Sequence, residues 1–146
     1  MAKDTKKSTV LIVDDDDMML QMAEFILNKD TDLRILKANS GMQCIGTLQQ
    51  EIVDLVLLDI QMPGMDGLKT MELIRKREDW RNIPVIFLTA TSDKGTVIKA
   101  SQLGVAGYIK KPFLPQDLVQ RVETALLYKA LDDPDISTLL DQLDTK

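Results

Sequence analysis

Four apolar residues in succession, Leu55–Leu58, run directly into a carboxylate, Asp59, and then into a segment that no regular element can continue. An uninterrupted apolar run of that length predicts a strand covered on both faces, as in parallel sheets with helices on either side. In Gln61-Met62-Pro63-Gly64-Met65-Asp66-Gly67, Pro63 has no N–H for a ladder and the two glycines permit tight turning, so the strand ends near Asp59. That puts Asp59 at the carboxyl end of a buried strand, the edge where open α/β sheets place their ligands. An aspartate beside a turn can instead open a helix. Asp66, immediately before Gly67-Leu68, suits that role, whereas Asp59 lies too far upstream for it.

The same grammar recurs along the chain. Thr9–Val13 is a β-branched, apolar strand that ends on Asp14-Asp15-Asp16-Asp17, of which Asp16 or Asp17 suits the first turn of the helix that follows. Met18, Met19, Met22, Phe25 and Ile26 fall at helical spacing, and the methionines are expected to fill the core. Leu33–Lys37 predicts a short second strand, and Asn39-Ser40-Gly41 a capped turn into a helix reaching about Gln50. After the Asp59 loop, Leu68, Met71, Leu73 and Ile74 mark a third helix ending in the charged stretch Arg75–Asp79, with Trp80 packing in a loop. Pro84–Leu88 is the fourth strand, ending on Thr89-Ala90-Thr91; a helix over about Asp93–Leu103 and a strand over Ala106–Ile109 follow. Lys110-Lys111-Pro112 closes that strand, and a last long helix runs from Pro115 to Leu131. Five strands alternating with five helices predict an α/β fold with a doubly wound, mostly parallel sheet and right-handed crossovers. Residues 132–146 form an acidic tail in which Asp133-Pro134 resembles a helix start and Ile136, Leu139, Leu140 and Leu143 share a face, predicting a short sixth helix. Packing on the domain, pairing with another chain and leading into a longer protein all stay open for it.

Composition narrows the chemistry. No apolar run approaches the roughly 20 residues that span a bilayer, and MAKDTKKST is followed by too short an apolar stretch for a signal peptide, so a cytoplasmic protein without a membrane segment is expected. A net charge of −5 without a basic stripe argues against direct binding of nucleic acid. Cys44, the single cysteine, reads as a small buried hydrophobe. The chain has no histidine, which excludes Ser-His-Asp and Cys-His catalysis and most zinc sites and leaves carboxylate, lysine and hydroxyl chemistry.

If every strand is parallel, the tips of strands one, three, four and five share one edge, and that edge collects Asp14, Asp15, Asp59, Thr89 and Lys111. Three crowded carboxylates repel one another unless a hard dication, Mg²⁺ or Mn²⁺, binds through oxygen ligands. A lysine and a hydroxyl nearby suit phosphoryl oxygens, because phosphoryl transfer is mostly positioning and charge stabilisation. A carboxylate can itself be the nucleophile, and Asp59, alone on the middle strand, is the natural acceptor.

At these positions the sequence resembles the receiver domain of two-component response regulators, in the manner of the chemotaxis response regulator. LIVDD at 11–15, LLDIQMPGMDG at 57–67, LTA at 88–90 and YIKKPF at 108–113 stand in that family's order and spacing, and the likeness covers about residues 8–131. The resemblance implies a flavodoxin-like sheet of strand order 2-1-3-4-5. It also implies a signalling domain rather than an enzyme, one that takes a phosphoryl group on Asp59 from a phosphohistidine of a sensor histidine kinase or phosphotransfer protein. Asp15, Asp59 and the backbone carbonyl of Gln61 would hold Mg²⁺, with Asp14 acting through water; Thr89 and Lys111 would bind phosphoryl oxygens. The Lys111-Pro112 bond would be cis, and Tyr108 would fill the family's aromatic switch position. The surface of the fourth helix, fifth strand and fifth helix would then receive a downstream protein or pair in a phosphorylation-dependent homodimer.

Two departures bear on subfamily. Asp17 stands where many members have proline, and the fifth strand lacks the acidic residues that winged-helix regulators use there to dimerise. A single-domain regulator and a receiver cut from a longer chain both remain open. Two other readings compete. In a haloacid-dehalogenase-type phosphatase Asp14 would be the nucleophile, with Asp16, Thr89 and Lys111 in its motifs, but Asp132-Asp133 follows a helix rather than a strand and Asp59 is left unexplained. The other is a receiver-like binding module that works without phosphate.

Overall fold

The computed structural model describes residues 7–90 and 93–131. Five strands, β1 (Thr9–Val13), β2 (Arg34–Ala38), β3 (Leu55–Leu58), β4 (Val85–Thr89) and β5 (Gly107–Lys110), alternate with α1 (Asp17–Asp30), α2 (Gly41–Gln50), α3 (Gly67–Lys76), α4 (Lys94–Gln102) and α5 (Pro115–Leu131). All neighbouring strands pair in parallel, in the order β2-β1-β3-β4-β5, so the expected doubly wound sheet is the one observed. Register matters most for the edge. Val13 pairs with Leu58, Leu58 with Phe87 and Thr89 with Lys110, which brings the carboxyl ends of four strands level. Two backbone bonds carry the ladder one residue further: Asp59 N–H donates to the Val13 carbonyl at 2.9 Å, and Lys111 N–H to the Thr89 carbonyl at 2.9 Å.

Alternation along these strands divides the core into two layers. Leu11, Val13, Val56, Leu58, Val85 and Phe87 pack against Cys44, Leu48, Met71 and Ile74 of α2 and α3 and against Trp80. On the other face Val10, Ile12, Leu55, Leu57, Ile86 and Leu88 meet Leu20, Ala23 and Leu27 of α1 and Leu118 and Val122 of α5. Burial pushes the Cys44 thiol up to about 12, which suits the inert role expected of it. Trp80, in a 3₁₀ turn over Glu78–Trp80, is buried as loop packing with the Arg77 guanidinium 4.3 Å over its ring.

The methionines of α1 depart from expectation. Leu20, Ala23, Ile26 and Leu27 supply the face that meets the sheet, and Met18 (78% exposed), Met22 (44%) and Phe25 (68%) point to solvent. Smaller differences fall at element ends: β2, β4 and β5 each start and end one residue later than predicted, and Asp93 caps α4 instead of belonging to it. The predicted sixth helix lies in 132–146, outside the described residues.

Helix α4 is the least anchored. It buries only Ala100, whereas α1 buries four residues, and each fully buried aliphatic side chain contributes roughly 2 kcal/mol. Its far end is held by Arg75 of α3, whose guanidinium donates to the carbonyls of Ile83 (2.9 Å), Leu103 (3.3 Å) and Gly104 (3.3 Å). Among the described residues no helix is long and apolar enough to cross a membrane.

Candidate functional site

The level strand ends bring together the acids that the sequence distributes over 45 positions. Asp14 follows β1, Asp59 follows β3, and Asp15 stands beside Asp14; one carboxylate oxygen from each lies within 4.8 Å of the others. Asp14 (2% exposed) and Asp59 (5%) are buried, and Asp15 faces solvent. Lys111, delivered by the end of β5, reaches across with Nζ 2.6 Å from Asp14 Oδ2 and 3.6 Å from Asp59 Oδ2. The other Asp14 oxygen accepts the Asp16 N–H at 2.9 Å. Asp16 in turn caps α1, accepting the Met18 N–H, and thereby ties the helix start to the site.

Around Asp59 several effects compete. Burial raises its pKa and is the largest; the Lys111 ammonium lowers it, the Asp14 carboxylate raises it, and hydrogen bonds from the Thr89 hydroxyl and the Gln61 N–H lower it. The outcome is a carboxyl held above its ordinary range. With all three acids ionised, three negative charges face the single ammonium of Lys111, so two remain uncompensated at a partly enclosed edge. An all-oxygen donor set with surplus negative charge fits a hard dication rather than a soft metal.

The loop from Ile60 to Asp66 keeps this geometry. Ile60 and Met62 are buried, and the Gly67 N–H closes the loop base on the Ile60 carbonyl at 2.8 Å. Gly67 must lack a side chain, since a Cβ there would lie 2.2 Å from the Asp59 carbonyl oxygen, a backbone atom with no room to yield. Asp66 caps α3 through the Lys69 N–H at 2.9 Å, as its position predicts. The Lys111-Pro112 bond is cis.

Of the residues expected to act, Asp14, Asp15, Asp59, Thr89 and Lys111 converge, and Gln61 touches Asp59 through its N–H. Tyr108 stands apart. It is half-buried on β5 with its ring edge-on to Phe87, centroids 6.4 Å apart, and burial first, then the charges of Asp59 and Asp93, push its hydroxyl pKa up. Sequence reading missed the direct Asp14–Lys111 pair, which joins residues 97 positions apart and has no local signature. It also missed the Asp16 N–H donated to Asp14, for which the Asp-x-Asp spacing is a usable signal.

A family model described as the response regulator receiver domain matches residues 10–123. The chain belongs to that family. This receiver is 35% identical over 121 residues to the transcriptional regulatory protein YvrH of Bacillus subtilis, spanning 83% of this chain and 50% of that one. It is 32% identical over 118 residues to the chemotaxis protein CheY-3 of Vibrio cholerae, spanning 81% of this chain and 91% of the other. The receiver thus spans about half the length of several curated relatives it matches. Its fold superposes on a CheY-like receiver domain from Methanospirillum hungatei with a TM-score of 0.82 at 24% identity, over 87% of this chain and 99% of that one. Membership makes it a signalling domain of two-component systems, which act with histidine kinases and downstream effectors.

Proposed function

We propose that Asp59 accepts a phosphoryl group from a phosphohistidine on a partner kinase or phosphotransfer protein. The observation that carries this reading is the placing of Asp59 at the tip of the central strand, within reach of both the Lys111 ammonium and the Thr89 hydroxyl. An Asp59 oxygen attacks phosphorus while the bond to the donor imidazole nitrogen breaks, and the imidazole leaves with the electron pair and is protonated by solvent. Asp14, Asp15, Asp59 and the Gln61 carbonyl would hold Mg²⁺ or Mn²⁺, which supplies charge neutralisation on the transferring group when bound. Lys111, now shared between Asp14 and Asp59, would turn to a phosphoryl oxygen, and Thr89 would do the same through its hydroxyl. Asp59 must be ionised to attack; burial in the metal-free protein works against that, the Lys111 ammonium works for it, and a bound dication would add to the ammonium's effect.

Thr89 lies on β4 beside β5, and its movement toward the phosphoryl group would open space for Tyr108 to turn inward. That would change the surface of α4, β5 and α5, a population shift for which the thin anchoring of α4 is suited. This face would receive a downstream protein or a second copy of the chain. The domain would act in the cytoplasm, without itself touching nucleic acid or membrane. Two alternatives are less well supported: a phosphate-independent binding module leaves the crowded Asp59, with its raised pKa, without a use, and Asp14 as nucleophile leaves Asp59 and its loop equally unexplained.

The switch is tested by chemical-shift mapping with beryllofluoride on wild type and Thr89→Ala. Shifts on α4 and β5 in the wild type that vanish in the variant are expected. Equal shifts in both would rule out the route from Thr89 to Tyr108.

A further inference from the structure

Gly41, the first residue of α2, is buried against the acceptor loop and the start of α3. A Cβ at this position would lie 2.3 Å from Thr70 Oγ1, 2.8 Å from Met65 Cε and 3.1 Å from the Met65 carbonyl oxygen. Met65 Cε is the end of a flexible side chain and can retreat. Thr70 has no such freedom: it is fully buried, it is β-branched, and its hydroxyl donates to the Asp66 carbonyl at 2.8 Å. Helix α2 therefore comes down on the loop through a position without a side chain, and Thr70 holds the loop from beneath.

We infer that Gly41 and Thr70 are positioning residues, a seat that fixes the 60–66 loop and with it the presentation of the Gln61 backbone beside Asp59. The inference rests on the phosphoacceptor reading above and adds how that site is kept in register. Neither residue touches the reacting atoms. The loop is short and its base is closed by the Gly67–Ile60 bond, so an outward push at Met65 and Asp66 cannot be absorbed by the chain ends. Gln61, between buried Ile60 and Met62, moves with it. Partners hydrogen-bonded directly to a metal ligand typically change affinity by about 10–100-fold when removed, and a support one step further out is expected at the low end of that range.

The test is Mg²⁺ affinity measured calorimetrically on folded protein, alongside labelling by acetyl phosphate. Gly41→Ala and Thr70→Val should each weaken Mg²⁺ binding about tenfold and slow labelling, whereas Thr70→Ser, which keeps the hydroxyl, should stay at wild-type affinity. Asp54→Ala, a destabilising change at the opposite end of β3, serves as the comparison for lost stability alone and should leave affinity unchanged. If Gly41→Ala does not fold, the Thr70 pair decides by itself. Wild-type affinity in Thr70→Val, or an equal loss in Thr70→Ser, overturns the seat while leaving the phosphoacceptor reading in place. A wild-type protein that neither binds Mg²⁺ nor takes label would overturn that reading, and the seat with it.

Discussion

Strand β3 carries an aspartate at each end, and the two are treated in opposite ways. Asp54, just before the strand, accepts the Thr9 N–H at 2.7 Å on one oxygen and the Lys129 ammonium at 3.0 Å on the other. Its charge is answered by the fold itself. Asp59, just after the strand, shares one lysine with Asp14, sits within 4.8 Å of two other carboxylates and has its pKa raised by burial. An acid whose partners are complete holds structure together; an acid left in a crowd costs stability until something from outside completes it. The same residue type, on either side of a four-residue strand, thus separates support from the proposed function.

The contrast breaks most sharply at labelling. Asp59→Asn should abolish phosphoryl transfer from kinase or small phosphodonor with the fold intact, and Asp54→Ala should leave the labelled fraction of folded protein unchanged; labelling lost in both would erase the distinction. Stability should divide the other way. Asp54→Ala strips the acceptor from the buried Thr9 N–H and should cost about 2 kcal/mol in urea unfolding. A loss within error of zero would show that Asp54 is no anchor.

A smaller effect is expected from the metal. Mg²⁺ in excess of its dissociation constant should raise the melting temperature by mass action, and Asp15→Asn should reduce that rise, since Asp15 contributes a carboxylate to the cluster without being needed inside the core. An unchanged melting temperature in both proteins would return the three acids to capping and packing.

The smallest effect concerns pH. Because the folded state raises the Asp59 pKa, it binds that proton more tightly than the unfolded chain does. The associated penalty is absent below the ordinary carboxylate range and grows as pH rises through the raised pKa. Metal-free Asp59→Asn should therefore be more stable than wild type at neutral pH, with the difference fading on acidification through that window. Thermal melts across the acid range would show it, and a variant less stable than wild type at neutral pH would mean that the Lys111 contact outweighs the cost of burial.

Much of this was legible in the residues. β1 and β3 are continuous apolar runs ended by acids, and their bounds and the place of Asp14 and Asp59 follow from that alone. The parallel order then makes the edge converge. Two things were not legible. Helix α1 carries two apolar stripes, Met18-Met22-Phe25 and Leu20-Ala23-Leu27, and periodicity identifies both without saying which one the sheet covers. Arg75 and the Asp14–Lys111 pair depend on segments distant in sequence, whose meeting is decided by tertiary packing rather than by local pattern.

The most direct measurement is peptide mapping by mass spectrometry after incubation with acetyl phosphate and Mg²⁺. Asp59 as acceptor requires the added phosphoryl mass on the peptide that contains the end of β3, fragmenting to Asp59. An adduct on Asp14, or none anywhere in a protein that binds Mg²⁺, would contradict it.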